Sequence, residues 1–377
     1  MKDLGLYLHL PFCRSRCGYC AFVSVAGRPD LWDPYLDALV TELAMARERL
    51  GPRTVDTVYL GGGTPTLLGE RRLGRLLEAV AAGFRMTADA EVTVEANPGT
   101  VDAAGLSALR QLGCNRLSLG VQSFHDAELV ALGRTHGAAQ ALTACGDARL
   151  AGFDNLSLDL IFSIPGATLE TWSSTLDQAL DQEPEHLSVY GLTVEEGTAL
   201  AAQVREGQVP PVDEDLDARL FAVTGERLGE AGYEQYEVSN YARPGRRSRH
   251  NWGYWTGAEY LGVGVSAHTF LAGRRSWNTD RLVEYLDRIG QGRSPESGGE
   301  VIDRATARRE RIWLGLRTDR GLALTPDERQ RLAAAERVRQ LTGAGYLELG
   351  SDRLTLTRSG LAVADALGLE VSQVLGA

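Results

Sequence analysis

The chain has 377 residues, 44% of them hydrophobic, and a formal net charge of −11. That length and apolar share suit two or three packed domains, and the acidic balance excludes a protein built mainly to coat nucleic acid. No apolar run approaches a membrane span and no targeting segment opens the chain, so a cytoplasmic location is expected; five cysteines in this length suit a reducing compartment.

In chain order, the alternating apolar residues Leu4 to Leu10 read as a strand. They lead into HLPFCRSRCGYC, where Cys13, Cys17 and Cys20 stand three and two residues apart. Asp33 to Arg49 has helical apolar spacing, and Thr54 to Leu60 reads as a strand ending in GGGTPT. Helix over Leu73 to Phe84, strand over Glu91 to Ala96 and helix over Ala103 to Leu112 follow. Arg116 to Val121 is a strand, with helical stretches up to Leu150. Asn155 to Phe162 is a strand, Leu169 to Leu180 a helix and His186 to Leu192 a sixth strand. Strands alternating with helices predict parallel βαβ units, and six of them suit a partial (β/α)6 barrel. Its site would lie at the C-terminal ends of the strands.

The chemistry-bearing residues fall at those ends. Structural zinc takes four ligands, which would need His9 or a distant residue to complete the three cysteines; Cys114 and Cys145 stand alone. A cubane iron–sulfur cluster on three thiolates leaves one iron open to a small molecule. Gly61, Gly62 and Gly63 allow close backbone approach to a ligand and expose N–H groups. Glu95 and Gln122 end two strands, and Asp159 sits inside the apolar strand LSLDLIFS. There it needs a partner, for which Arg134 is the structural candidate.

The three-cysteine loop, with Tyr19 just before its last Cys, resembles the radical S-adenosylmethionine (SAM) superfamily. That resemblance implies a 4Fe-4S cluster on Cys13, Cys17 and Cys20, whose open iron binds SAM. The stretches LYLHLPFC, YLGGGTPTLL, VEANPGT, LSLGVQSF, LGRTH, LDLIFSIPG and YEQYEVSNYARPG together resemble the oxygen-independent coproporphyrinogen III oxidase group. They imply SAM contacts at Tyr7, Tyr19, Gly62, Gly63, Thr64, Glu95, Gln122, Arg134 and Asp159. Two departures matter: Phe22 stands where the oxidases carry a further Cys, and only twelve residues precede Cys13. Both match the heme-chaperone branch of the group, as does the H-N-x-x-Y-W pattern of His250, Asn251, Tyr254 and Trp255. The resemblance thus implies a heme chaperone with heme at those four residues, acceptor hemoproteins, some of them at membranes, and an electron donor. The alternative is a coproporphyrinogen III oxidase or another radical SAM porphyrin-modifying enzyme. His268 is a second candidate heme ligand, and Arg243, Arg246, Arg247 and Arg249 are candidate partners for heme propionates.

The barrel is expected over 1–205 and a small mixed α/β segment over 206–300, with a helix at Asp213 to Gly232, a strand at Glu234 to Tyr241 and a helix at Thr279 to Ile289. Helices at Ala305 to Leu316, Thr325 to Ala333 and Ala335 to Ala344, followed by a hairpin around Gly350–Asp352, predict a winged-helix-like domain over 301–377. Its hairpin carries Glu348 and Asp352 beside Arg353, which favours a lid or docking surface over DNA binding.

Overall fold

The computed structural model describes residues 3–377. Six strands, β1 (Leu4–Leu10), β2 (Thr54–Gly62), β3 (Arg85–Ala96), β4 (Arg116–Gln122), β5 (Leu156–Phe162) and β6 (His186–Gly191), pair in parallel in chain order. Their period-two pattern divides the residues between two environments. On β4, Leu117, Leu119 and Val121 join the core under the outer helices, while Arg116, Ser118, Gly120 and Gln122 border the interior cavity. On β5, Leu156, Leu158 and Leu160 face the same core and Asp159 and Ile161 face the cavity. Each buried leucine stabilises the fold by about 1.5–3 kcal/mol.

The sheet does not stop with the sixth strand. At one edge β6 pairs antiparallel with β8 (Asn240–Ala242), which in turn pairs with β7 (Glu234–Gln235). At the other edge β9 (Tyr260–Val263) lies parallel to β1, and β10 (His268–Leu271), β11 (Arg274–Asn278) and β12 (Glu296–Val301) extend it antiparallel. The segment 206–300 thus continues the barrel sheet, and Leu220, Leu261, Val263 and Tyr285 share its core. The stretch expected as one strand, Glu234 to Tyr241, is broken. The Glu237 carboxylate turns back to accept from Ser239 N–H and the Asn240 amide, and the chain loops between β7 and β8.

A second, separate core gathers Ile312, Leu316, Leu332, Leu354 and Val371. Helices Arg304–Leu316, Pro326–Ala334 and Glu336–Gly343 precede a hairpin of Leu347–Leu349 and Arg353–Leu356, with Leu322–Ala323 as its third strand. A final helix, Ala364–Leu375, packs on the first of these.

One buried carboxylate ties the added strands to the barrel. Glu42, on helix Trp32–Leu50, accepts from Gly264 N–H at 2.8 Å, Tyr285 O–H at 2.6 Å and the Asn278 amide at 2.7 Å. Burial pushes its pKa up to about 7, against the downward pull of those three donors. Its ordinary value is 4.5, so between that and about 7 the folded chain holds a proton the unfolded chain has released. Stability therefore falls as pH rises through that window. Glu42→Gln is expected to flatten the slope of unfolding free energy against pH there by up to about one proton, measured by urea denaturation at pH 5 to 8.

Candidate functional site

The cysteine loop is seated against the end of β2 by main-chain bonds. Gly63 N–H donates to Leu10 C=O at 2.9 Å and Thr64 N–H to Phe12 C=O at 2.7 Å. A side chain at 63 would put its Cβ 2.6 Å from the Phe12 carbonyl oxygen, and one at 62 would strike the His9 ring at 2.5 Å. Gly62 also has φ +111°, which favours glycine. The sequence suggested N–H groups exposed to a ligand; instead Gly63 N–H is taken up by Leu10 and Gly62 N–H donates to Glu95 Oε2 at 3.1 Å. The glycines' role is to let two loops touch. His9 fills the space beneath, with Tyr7 O–H on Nδ1 at 3.0 Å and Nε2–H on Val23 C=O at 3.1 Å.

Cys13, Cys17 and Cys20 border one cavity of about 520 Å³ at the C-terminal ends of the parallel strands. Thr64 Oγ1 lies 3.7 Å from Cys13 Sγ, and Arg134 Nη1 lies 3.4 Å from Cys17 Sγ. Burial raises the Cys13 and Cys20 thiols; hydrogen bonds from Thr64 to the first and from backbone to the second act against it. No three His, Cys, Asp or Glu side chains among the described residues converge on a point that would hold one metal ion. A cubane distributes its thiolates over separate irons, and its ligands need only share a wall. Of the positions expected from the sequence to meet SAM, Tyr19, Gly62, Gly63, Thr64, Glu95, Gln122, Arg134 and Asp159 all border this cavity. Tyr7 does not; it packs deeper, beside Tyr59 and His250.

The polar walls are organised by residues the sequence reading passed over. Asn97 donates to Thr64 Oγ1 at 2.8 Å and accepts from Arg134, whose Nη2 also donates to Gly120 C=O at 2.8 Å. Arg134 thus does not pair with Asp159. Asp159 instead accepts from Ser118 at 3.0 Å, and burial pushes its pKa up to about 6. Glu95 accepts from Tyr59 O–H at 2.7 Å, and burial raises it to about 7. Gln122 borders the cavity with φ +68°, at a register break between β4 and β5; such strain concentrates at sites. Asn97 was legible in VEANPGT, next to Glu95; Ser118 carried no signal beyond its strand.

The HNxxYW segment forms a short helix, Arg249–Trp255, that plugs the far end of the barrel. Ser248 caps it, and the Glu91 carboxylate accepts from both Arg249 and His250 N–H groups at 3.1 Å. His250 is 4% exposed, with Nδ1 2.9 Å from Thr57 Oγ1 and Nε2 2.9 Å from the Tyr254 hydroxyl. Both ring nitrogens are engaged, so the imidazole is not presented to a heme iron in this conformation. Asn251 reaches the floor of the cysteine cavity. Tyr254 and Trp255 border a different groove, of about 610 Å³, with Trp252, Tyr260 and Phe270. The four motif residues therefore face three environments.

Of the four arginines upstream, two are held in ion pairs, one lies over a ring, and Arg246 has no ion pair among the described residues. Arg247 pairs with Glu234 at 2.9 Å and Asp319 at 2.6 Å, Arg249 pairs with Asp89 at 3.3 Å, and Arg243 lies over the Tyr233 ring. Acidic groups distant in sequence neutralise Arg247 and Arg249, which a linear reading could not foresee. His268 is exposed beside Trp277.

Gly63→Ala is expected to cost about 1–3 kcal/mol by forcing the cysteine loop off β2. Thermal unfolding would show the loss, while Gly18→Ala, with open space around its Cβ, serves as the neutral control.

Residues 7–179 match the radical SAM superfamily. The chain is 40% identical to the heme chaperone HemW of Mycobacterium tuberculosis (strain CDC 1551 / Oshkosh), over 97% of this chain and 94% of that one. It is 41% identical to the heme chaperone HemW of Escherichia coli (strain K12), over 73% of this chain and 72% of that one. The solved coproporphyrinogen III oxidase (HemN) of Escherichia coli superposes with a TM-score of 0.84 over 98% of this chain and 90% of that one. At 24% identity, that likeness speaks for the fold. With whole-length relatives at this identity and a radical SAM match beginning on β1, the chain belongs to the HemW family, a branch of the radical SAM superfamily.

Proposed function

We propose that this chain is a heme chaperone that carries a 4Fe-4S cluster and SAM and passes heme to acceptor hemoproteins. The observation that carries the reading is the near-whole-length similarity to HemW, 40% over 97% of the chain. The donor set of the cavity fits the cluster: three cysteines on one wall, with the Arg134 guanidinium beside Cys17 and its Nε buried without a partner. Cys13, Cys17 and Cys20 would hold it. When bound, such a cluster supplies one-electron chemistry and an iron open to SAM.

This chain's own residues shape the rest of the cavity. Glu95, held by Tyr59 and Gly62, and Asp159, held by Ser118, present acceptors to a ligand's amino and hydroxyl groups. The apolar cluster of Leu132, Ile161 and Leu192, against which Tyr19 packs, walls off one side. Phe22 stands 69% exposed at the mouth, where the related oxidases carry a cysteine.

For heme, the aromatic groove supports a site better than the His250 ring does. Tyr254, Trp255, Trp252, Tyr260 and Phe270 offer flat apolar surface, and the Arg320 guanidinium lies 4.8 Å over Trp252 with no ion pair among the described residues. Burial of such aromatic surface is the main driving force available to a porphyrin. His250 contributes by fixing Tyr254, and Asn251 by closing the floor of the other cavity.

Anaerobic titration with hemin, followed by transfer to an apo-hemoprotein, tests the reading. Wild type is expected to bind and release heme, and Trp255→Ala to bind at least about fivefold more weakly. Multiple-turnover decarboxylation of coproporphyrinogen III, with reductant and SAM, would instead establish the oxidase alternative.

A further inference from the structure

Arg116 opens β4, where a charged residue ordinarily marks a solvated strand end. Here it is 1% exposed and borders the same cavity as the cysteine loop. Among the described residues its guanidinium forms no ion pair, and its Nε is buried without a hydrogen-bond partner. The carboxylates within electrostatic reach are held elsewhere, Glu95 by Tyr59 and Gly62, and Asp159 by Ser118. Directly beside Arg116 in strand register stands Thr93 of β3, fully buried, whose hydroxyl also lacks a partner. More than about nine in ten buried polar groups are paired in folded proteins. Two unpaired ones stand side by side, Arg116 on the cavity wall and Thr93 on the same face of β3 as the cavity-lining Glu95, and they mark a place that a ligand completes.

We propose that Arg116 and Thr93 form a carboxylate subsite at the inner end of this cavity. A guanidinium fork matches a planar carboxylate with two parallel N–H donors, and the threonine hydroxyl supplies a third. The charge there is single. Arg134, the other inward arginine, is bonded to Asn97, Gly120 and Cys17, and burial holds the His250 imidazole neutral, with its pKa lowered to about 3. One cation without a helix terminus suits a monovalent carboxylate over a phosphate. Two sources carry that chemistry: the amino-acid carboxylate of an adenosyl ligand and the propionate of a tetrapyrrole. The subsite stands whether or not heme transfer is the chain's task.

The test titrates the full-length, anaerobically reconstituted protein with two acid–ester pairs. These are S-adenosylhomocysteine against its carboxyl methyl ester, and mesoporphyrin IX against its dimethyl ester. In one pair, esterification is expected to weaken wild-type binding at least about tenfold, and binding to Arg116→Gln less than about twofold. The pair that responds identifies the source. The ligand-free melting temperature of Arg116→Gln is expected to equal or exceed that of wild type, because an uncompensated buried cation is gone. Arg116→Lys keeps the charge without the fork and should fall between the two in affinity for the acid. An ester penalty in both pairs that Arg116→Gln leaves intact overturns the proposal. So does a melting temperature that drops in Arg116→Gln while acid affinity is retained, since that identifies a purely structural cation.

Discussion

The site depends on a contact between two main chains. Residues 10–12 and 63–64 exchange hydrogen bonds at 2.9 and 2.7 Å across a gap with no room for a Cβ. That contact fixes how the chain runs from β1 to Cys13, and hence where the loop to Cys20 can go. Arg134 and Asn97 then bind the loop to β3 and β4, through Cys17, Thr64 and Gly120. A loop with three soft ligands would otherwise be a flexible segment with little preference for one arrangement. Here it is held by residues from four successive strand ends.

Beneath the loop, the barrel interior is unusually polar, and its groups are joined end to end. Glu95 binds Tyr59, the Tyr59 ring stacks on His250 at 5.1 Å, and His250 binds Tyr254 at the groove on the other side. The HNxxYW helix is therefore the floor of one site and a wall of another. In that double position His250 has both ring nitrogens engaged, by Thr57 and by Tyr254. Its ring organises the segment, while Tyr254 and Trp255 line the outward groove.

Much of the barrel was legible because its strands are short apolar runs between strong helical patterns, as in LSLDLIF between Leu150 and Leu169. The cysteine spacing likewise announced its loop. What escaped the sequence depends on partners far along the chain. The helix Arg249–Trp255 is seven residues long with a glycine inside, and Glu91, on a strand more than a hundred residues earlier, holds its first turn. Arg247 reads as surface until Asp319 arrives from the last domain. Gly61 to Gly63 suggested a ligand cradle, whereas the N–H groups of Gly62 and Gly63 are bonded within the protein and the space the three leave is filled by His9, Glu95 and the cysteine loop. Local pattern reports backbone form well; it does not report which charge will meet which.

The central claim is that this cavity joins a three-thiolate cluster and SAM at one point. Electron paramagnetic resonance of the dithionite-reduced, anaerobically reconstituted protein, with and without SAM, tests it most directly. About four irons per chain and a shift of the reduced-cluster signal on adding SAM are expected, with the signal lost in Cys17→Ser. A reduced-cluster signal that SAM leaves unchanged, or one that survives loss of Cys17 unaltered, would contradict it.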